Sequence, residues 1–195
     1  MRVRDENKEI TIREKAIELI VKEGFNGFSM QKLAKGAHVS PATIYIYYKN
    51  KEEMLNKLFM HVRIVFWETA MVDFHPEMQL EEGLLQQWKN RFHFILAYPM
   101  HFQFMEQFRN SPLIKHKDVD ISQFKVSMKA FIKNAISRNE MKKMEPEIFW
   151  AIAYGSFYSL VKFHLDDKSM MGRPFEFTET KIKQAVKLVT KALNP

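Results

Sequence analysis

No cysteine occurs in the 195 residues, so a disulfide framework, thiolate zinc ligands and thiol nucleophiles are all excluded. A chain built this way suits a reducing compartment, and a cytoplasmic location is expected. Glycines number only six and are scattered. They form no Walker loop, dinucleotide fingerprint or G-x-S-x-G elbow, and Gly155-Ser156 lies inside an apolar helical stretch where no such elbow could form. The longest uncharged apolar run, Ile148 to Val161, is too short to cross a bilayer and reads as a buried helix. The charged start Met-Arg-Val-Arg-Asp-Glu-Asn has no secretory character. The seven histidines include no HExxH and no pair at i and i+4, so no metal site is expected. Carboxylate pairs such as Glu81-Glu82 and Asp166-Asp167 fall at helix ends, where solvated charge accounts for them. Neither a catalytic group nor a cofactor is expected.

What is present is helical periodicity. Ile10, Ile12, Ala16, Ile17, Leu19, Ile20 and Val21 recur on one broad face up to Gly24, which should end the first helix. A long helix runs from Lys51 to about Phe74, stopped by His75-Pro76, and a fifth from Leu80 to Tyr98 is closed by Pro99. A sixth spans Met100 to Arg109 before Ser111-Pro112, and a seventh Val119 to Asn139. The eighth, from Pro146, is apolar almost all round over Ile148 to Leu165, and such a helix in a soluble protein needs two partners. The last starts at Thr178 and carries Ile182, Ala185, Val186, Val189 and Leu193, with Phe177 and Ile182 placed for a staple across the cap. No alternating strand pattern appears, so the class is all-α with about nine helices.

Residues 29 to 51, SMQKLAKGAHVSPATIYIYYKNK, carry the functional signal. Ser29 can cap a short helix bearing Met30, Leu33 and Ala34; Gly36, Ala37 and His38 turn the chain; Val39 plugs the corner. Ser40 then caps a second helix with Pro41 at its first position, where a missing N–H costs nothing. Ile44 anchors that helix, leaving Thr43, Tyr45 and Tyr47 to present hydroxyls suited to phosphate oxygens, while Ala42 and the Thr43 methyl suit a thymine methyl. No Asp or Glu occurs from Gly24 through Lys51, whereas Lys32, Lys35, Lys49 and Lys51 do, as a polyphosphate partner requires. The overall charge of +7 says less, because residues 1 to 53 hold ten Lys/Arg against eight Asp/Glu.

Turn, cap, tyrosines and the following Lys49-Asn50-Lys51-Glu52-Glu53 stand in one register, and over this first quarter the chain resembles the tetracycline-repressor (TetR) family. His38 departs from the usual Gly of the turn, and His tolerates a positive φ better than a branched residue. Pro41-Ala42 replaces a more usual polar or Gly pair. The resemblance implies a helix-turn-helix DNA-binding domain over residues 1–53 and a larger helical effector-binding and dimerisation domain over 54–195. It also implies a homodimer through the last two helices that binds a palindromic operator in double-stranded DNA and is released by a small molecule, acting most simply as a repressor. By position, Thr43, Tyr45 and Tyr47 are the main DNA-contacting side chains, with Ser40 beside them. Ser29, Lys32 and Lys51 hold phosphates, and Pro41 and Ala42 give shape and methyl contacts.

Seventeen phenylalanines and thirteen methionines lie mostly beyond residue 54. Helical spacing explains each as core, yet a Met- and Phe-rich interior also suits an adaptable pocket for an apolar or aromatic effector. Phe66, Trp88, Phe92, Phe104, Met105, Phe108, Phe131 and Tyr154 are its candidate lining. The competing reading is a helical carrier for hydrophobic molecules whose amino-terminal module is only structural.

Overall fold

The computed structural model describes residues 5–109 and 122–195. Helices alone occur among them: α1 Glu6–Gly27, α2 Met30–Gly36, α3 Pro41–Tyr47, α4 Lys51–Ala70, α5 Leu80–Ala97, α6 Pro99–Arg109, α7 Ser122–Ser137, α8 Pro146–Trp150, α9 Ser156–Leu165 and α10 Glu179–Leu193. A π-helical segment, Ala151–Gly155, joins α8 to α9 without a break, so the run from Pro146 is one helix with a bulge and the described residues hold nine helices in an all-α arrangement. The expected start of α7 near Val119 and the stop at Ser111-Pro112 lie outside the described residues. The chain divides into two compact units. One is Met1–Phe66 with Ile95–Asp120, the other Trp67–Phe94 with Ile121–Pro195.

In the first unit, the Asp5 carboxylate accepts from the amides of Asn7 and Lys8 at 3.1 and 3.3 Å and so starts α1 several residues before the apolar stripe begins. Glu6 and Glu9 add negative charge at the positive end of the helix dipole. Gly24 takes φ +70° and breaks the helical path as expected, but helical hydrogen bonding resumes for another turn to Gly27. Of the expected broad face, Ile12, Ala16, Ile17 and Ile20 form the buried inner side of α1, whereas Ile10 is exposed and Leu19 and Val21 are half-buried at its flanks. α6 packs on α1, with Gln107 Nε2 donating to Val21 O at 3.1 Å and His101 Nε2 lying 3.4 Å from Glu14. The hydrogen bond from His101 holds the Glu14 carboxyl below its ordinary value. Phe108 stacks on Phe59 at 4.4 Å and meets Phe25 and Phe104 at 5.5 Å, an aromatic cluster whose ring geometry adds to simple area burial.

In the second unit, α4 stops at Ala70, short of the expected Phe74. The reason is tertiary: Gln87 and Asn90 of α5 donate to Ala70 O at 2.8 and 3.1 Å, Asn90 also reaches Val72 O, and Asp73 adopts φ +53°. Trp88 is fully buried and donates Nε1–H to Ala153 O at 2.9 Å, a carbonyl of the π segment. Phe149, Ala153, Tyr154, Phe157 and Val161 form the buried face of the α8–α9 run, while Ile148, Ala151, Gly155, Ser159 and Leu165 stay exposed on its other side. α10 begins at its Thr178 cap as expected, buries Ile182, Val186, Val189 and Leu193, and leaves Leu188 63% exposed.

Candidate nucleic-acid interface

The helix-turn-helix is held by local hydrogen bonds that its residue types dictate. Ser29 Oγ accepts from Lys32 N and Ser40 Oγ from Thr43 N, both at 3.2 Å, so each short helix has its side-chain cap, and Pro41 occupies the first position of α3. Between the caps, Val39 N donates to Ala34 O at 3.0 Å and His38 N to Lys35 O at 3.3 Å. That is the paired closure of a helix carboxyl end, and it requires a left-handed residue, which His38 supplies at φ +55°. The turn therefore survives without glycine. Gly36 has a different role: a Cβ there would come within 2.9 Å of the Lys15 side chain of α1.

α3 has two faces. Ile44, Tyr47 and the following Tyr48 are buried, whereas Pro41, Ala42, Tyr45, Ile46 and Lys49 are exposed and Thr43 lies at the boundary. Tyr45 is 53% and Ile46 40% exposed, an unusual outlay of apolar surface on a seven-residue helix. The expectation that Tyr47 presents its hydroxyl to DNA is corrected. Its ring is 4% exposed, and its hydroxyl both donates to Asp5 O at 3.1 Å and accepts from Asp5 N at 3.2 Å, tying the start of α1 to the end of α3.

Lys51 is corrected in the same way. Its ammonium donates to Phe25 O at 2.8 Å and Phe28 O at 2.9 Å and lies 5.5 Å above the Phe28 ring, so it closes the carboxyl end of α1 in place of a phosphate contact. Lys32 is exposed but paired with Glu23 at 2.6 Å. The acid-free window in sequence is thus not acid-free in space: Glu23 reaches Lys32, and Glu53 accepts from Lys49 N and pairs with Lys57. Lys35 and the Lys49 ammonium, which the sequence places in the basic window without assigning them a contact, make no ion pair among the described residues. A cleft of about 320 Å³ beside the turn is lined by Asp5, Lys8, His38, Ser40, Thr43 and Ile46, among others.

The eight candidate effector residues are split between the units. Phe66, Phe104, Met105 and Phe108 are buried in the first. In the second, Trp88 and Phe92 pack around Phe177, Phe131 packs on Phe74 and against Gly83, and Tyr154 stacks on Trp150 at 4.3 Å. Within that unit they are parts of three packing clusters rather than one lining. A cleft of about 540 Å³ lies elsewhere, between α7 and the start of α8, and none of the eight lines it.

Two buried polar residues of α5 gave no periodic signal. The Arg91 guanidinium lies 4.5 Å from the Tyr154 ring and 4.9 Å from Trp67, donates to Tyr158 Oη at 3.1 Å and to Gln87 Oε1 at 3.2 Å, and is fully buried with Gln87. Burial pushes the Tyr154 hydroxyl up to about 12, with the Arg91 charge opposing it.

Two short capped helices joined by a tight turn, the second exposed along one face, define a helix-turn-helix fold within described residues that form helices and no strands. Residues 12–58 match the profile of bacterial regulatory proteins of the TetR family. Over that segment the chain is similar to that family. It is 37% identical over 97 residues to an uncharacterised helix-turn-helix transcriptional regulator of Haemophilus influenzae, a match that covers 50% of this chain and 52% of that one. The chain is therefore matched over only about half the length of that relative. Among solved structures, a TetR family transcription regulator of Marinobacter aquaeolei superposes with a TM-score of 0.77 at 27% identity, over 100% of this chain and 99% of that one. A transcriptional regulator of Bacillus subtilis, solved in complex with stearoyl-CoA, superposes with a TM-score of 0.66 at 18% identity, over 95% of this chain and 100% of that one, and so shows the fold. Among the described residues, no helix is long and apolar enough to cross a membrane.

Proposed function

We propose that this protein is a transcriptional repressor that binds a palindromic operator as a homodimer and leaves it when a small molecule with an apolar body binds. Residues 1–53 read DNA and residues 54–195 bind the effector and dimerise. The observation that carries the reading is the outer face of α3, where Pro41, Ala42, Tyr45 and Ile46 are exposed on a helix that is capped and anchored without them. A helix serving only the core has no use for such a face. With Thr43 beside them, these residues offer methyl and ring surfaces and few hydrogen-bond donors, a chemistry that fits thymine methyls and groove shape better than base-edge bonding. Lys35 and Lys49 supply phosphate contacts.

The outer side of the α8–α9 run, with Ala151, Gly155 and Ser159 in one row, and the exposed Leu188 of α10 support a second subunit on these helices. Dimerisation sets two recognition helices one DNA turn apart, roughly 34 to 36 Å, and an effector that favours another separation releases the operator. DNA and effector then oppose each other reciprocally.

Selecting genomic fragments with the purified protein tests the reading. The expected outcome is a palindrome with half-sites one turn apart and a salt-dependent gel shift. Absence of any specific fragment at low ionic strength overturns it and favours the carrier. Sedimentation as a 23.3 kDa species at micromolar concentration overturns the dimer.

A further inference from the structure

The cleft between α7 and α8 has a composition that the helix-turn-helix reading does not use. Its floor is apolar: Phe124, Met128 and Phe149 are buried side chains, and Ile132, Ile136 and Trp150 are partly exposed. Its edge carries four cations, Lys125, Lys129, Lys133 and Lys143. The first three stand at i, i+4 and i+8, a row about 12 Å long on one flank of α7. Like charges at this spacing repel, and α7 holds no acidic residue to compensate them. From Ser122 to Met144 the chain has six Lys/Arg against the single Glu140, which is itself engaged by Arg138 and by Leu80 N. None of the four rim lysines makes an ion pair among the described residues.

An apolar floor about 540 Å³ in volume is in the range of small-molecule sites, and methionine lets it adapt to a flexible chain. A row of lysines favours a head with several negative charges, since ammonium groups bind phosphate as point charges. We propose that this cleft binds an amphipathic anion, a long acyl chain lying on the apolar floor and joined to a phosphate-bearing head held by Lys125, Lys129, Lys133 and Lys143. Taken as the effector site, the proposal rests on the reading of the protein as an effector-released regulator.

The same cleft has a path to the helix that follows the reader. Phe124 stacks on Trp67 at 3.8 Å and Trp150 on Tyr154 at 4.3 Å, with the Arg91 guanidinium over Trp67, Tyr154 and Trp150. Trp67 belongs to α4, which begins at Lys51 directly after the recognition segment. A chain seated against Phe124 and Trp150 therefore bears on α4 through stacked rings.

The test uses the full chain and its tryptophan fluorescence, titrated with stearoyl-CoA, coenzyme A alone, stearyl alcohol and phosphatidylglycerol vesicles. Stearoyl-CoA is expected to bind one per subunit, with coenzyme A and the alcohol each much weaker. The Lys129→Glu/Lys133→Glu variant, whose changes lie on exposed positions and leave the fold intact, should weaken stearoyl-CoA roughly tenfold while leaving the alcohol unchanged. Equal affinity in that variant, equal binding of coenzyme A alone, or a response only to vesicles overturns the proposal. Operator binding is measured separately. A protein that shifts DNA but ignores stearoyl-CoA overturns the cleft and leaves the regulator standing. One that binds stearoyl-CoA without shifting DNA keeps the cleft and overturns the regulator.

Discussion

Replacing Lys51 by methionine separates a structural lysine from a phosphate-binding one. Methionine keeps an unbranched apolar stem, so packing changes little and the loss is confined to the ammonium. Two charged hydrogen bonds disappear, to Phe25 O at 2.8 Å and Phe28 O at 2.9 Å, along with a contact 5.5 Å above the Phe28 ring. Each such bond contributes about 1.5 to 3 kcal/mol when no water can replace it. Both are only part-buried here, so the carbonyls regain hydration and the net cost should be about 2 kcal/mol. For a chain of this size that corresponds to a fall of roughly 4 to 8 °C in Tm. Operator affinity will fall where the module begins to unfold, but the slope of log affinity against log salt should not change. A phosphate-binding Lys51 would give the reverse, an unchanged Tm and a slope smaller by about 0.9 per subunit. Calorimetry and a salt titration of the same variant decide between the two, and the second pattern would refute the reasoning.

Tyr47→Ala should cost about 3 kcal/mol, seen as a lower urea midpoint, because it empties a buried ring position and cuts both bonds to Asp5; Tyr45→Ala should leave the midpoint unchanged and weaken operator binding. Gly83→Ala places a methyl 2.6 Å from Phe131 Cζ inside the core, and overpacking of about 1 to 3 kcal/mol should exceed the helix-propensity gain of at most about 1, giving a net loss in thermal unfolding. The Tyr154 hydroxyl titrates at about 12 in the folded protein against 10.0 for the ordinary group, so stability is intact below pH 10.0 and falls as pH rises through 12. Tyr154→Phe should remove that alkaline loss while leaving unfolding at neutral pH close to that of the parent, as urea midpoints across the pH range will show. Replacing a contacted thymine by uracil removes one buried methyl, about 0.8 kcal/mol or roughly a fourfold loss of operator affinity in a gel shift.

What the sequence made legible is what short-range chemistry decides. Ser29, Ser40 and Pro41 act within three residues of themselves, and His38 turns the chain through its own φ, so all four were readable without a partner. The centres of the buried stripes of α1 and α10 followed for the same reason, since periodicity against one apolar interior needs no knowledge of which neighbour supplies it, while the width of the α1 stripe did not, as Ile10, Leu19 and Val21 lie outside it. The end of α4 was not readable, because Gln87 and Asn90 share its last carbonyl, Ala70 O, from 17 and 20 residues away. Arg91 was hidden for a related reason: an arginine on an amphipathic helix belongs by default to the solvent side, and its place among Trp67, Tyr154 and Trp150, with acceptors on Tyr158 and Gln87, helps to make burial tolerable.

Tyr47 is different, for its burial was written in the period and masked by its chemistry. Ile44 is the apolar anchor of α3, and positions three and four residues on share its face, which are Tyr47 and Tyr48. Counting hydroxyls assigned Tyr47 to DNA; counting turns assigns it to the core and leaves position 45 on the opposite side. The phenol is compatible with that burial because the Asp5 backbone, 42 residues earlier, both gives and takes a hydrogen bond. The same count yields the outer set of Ala42, Tyr45, Ile46 and Lys49, whose exposure on a helix this short has no structural use. Tyr47 ties α3 to the start of α1 through Asp5, and the Lys57 ammonium of α4 lies 5.7 Å over the Tyr48 ring, so both inward rings are engaged while Tyr45 faces outward.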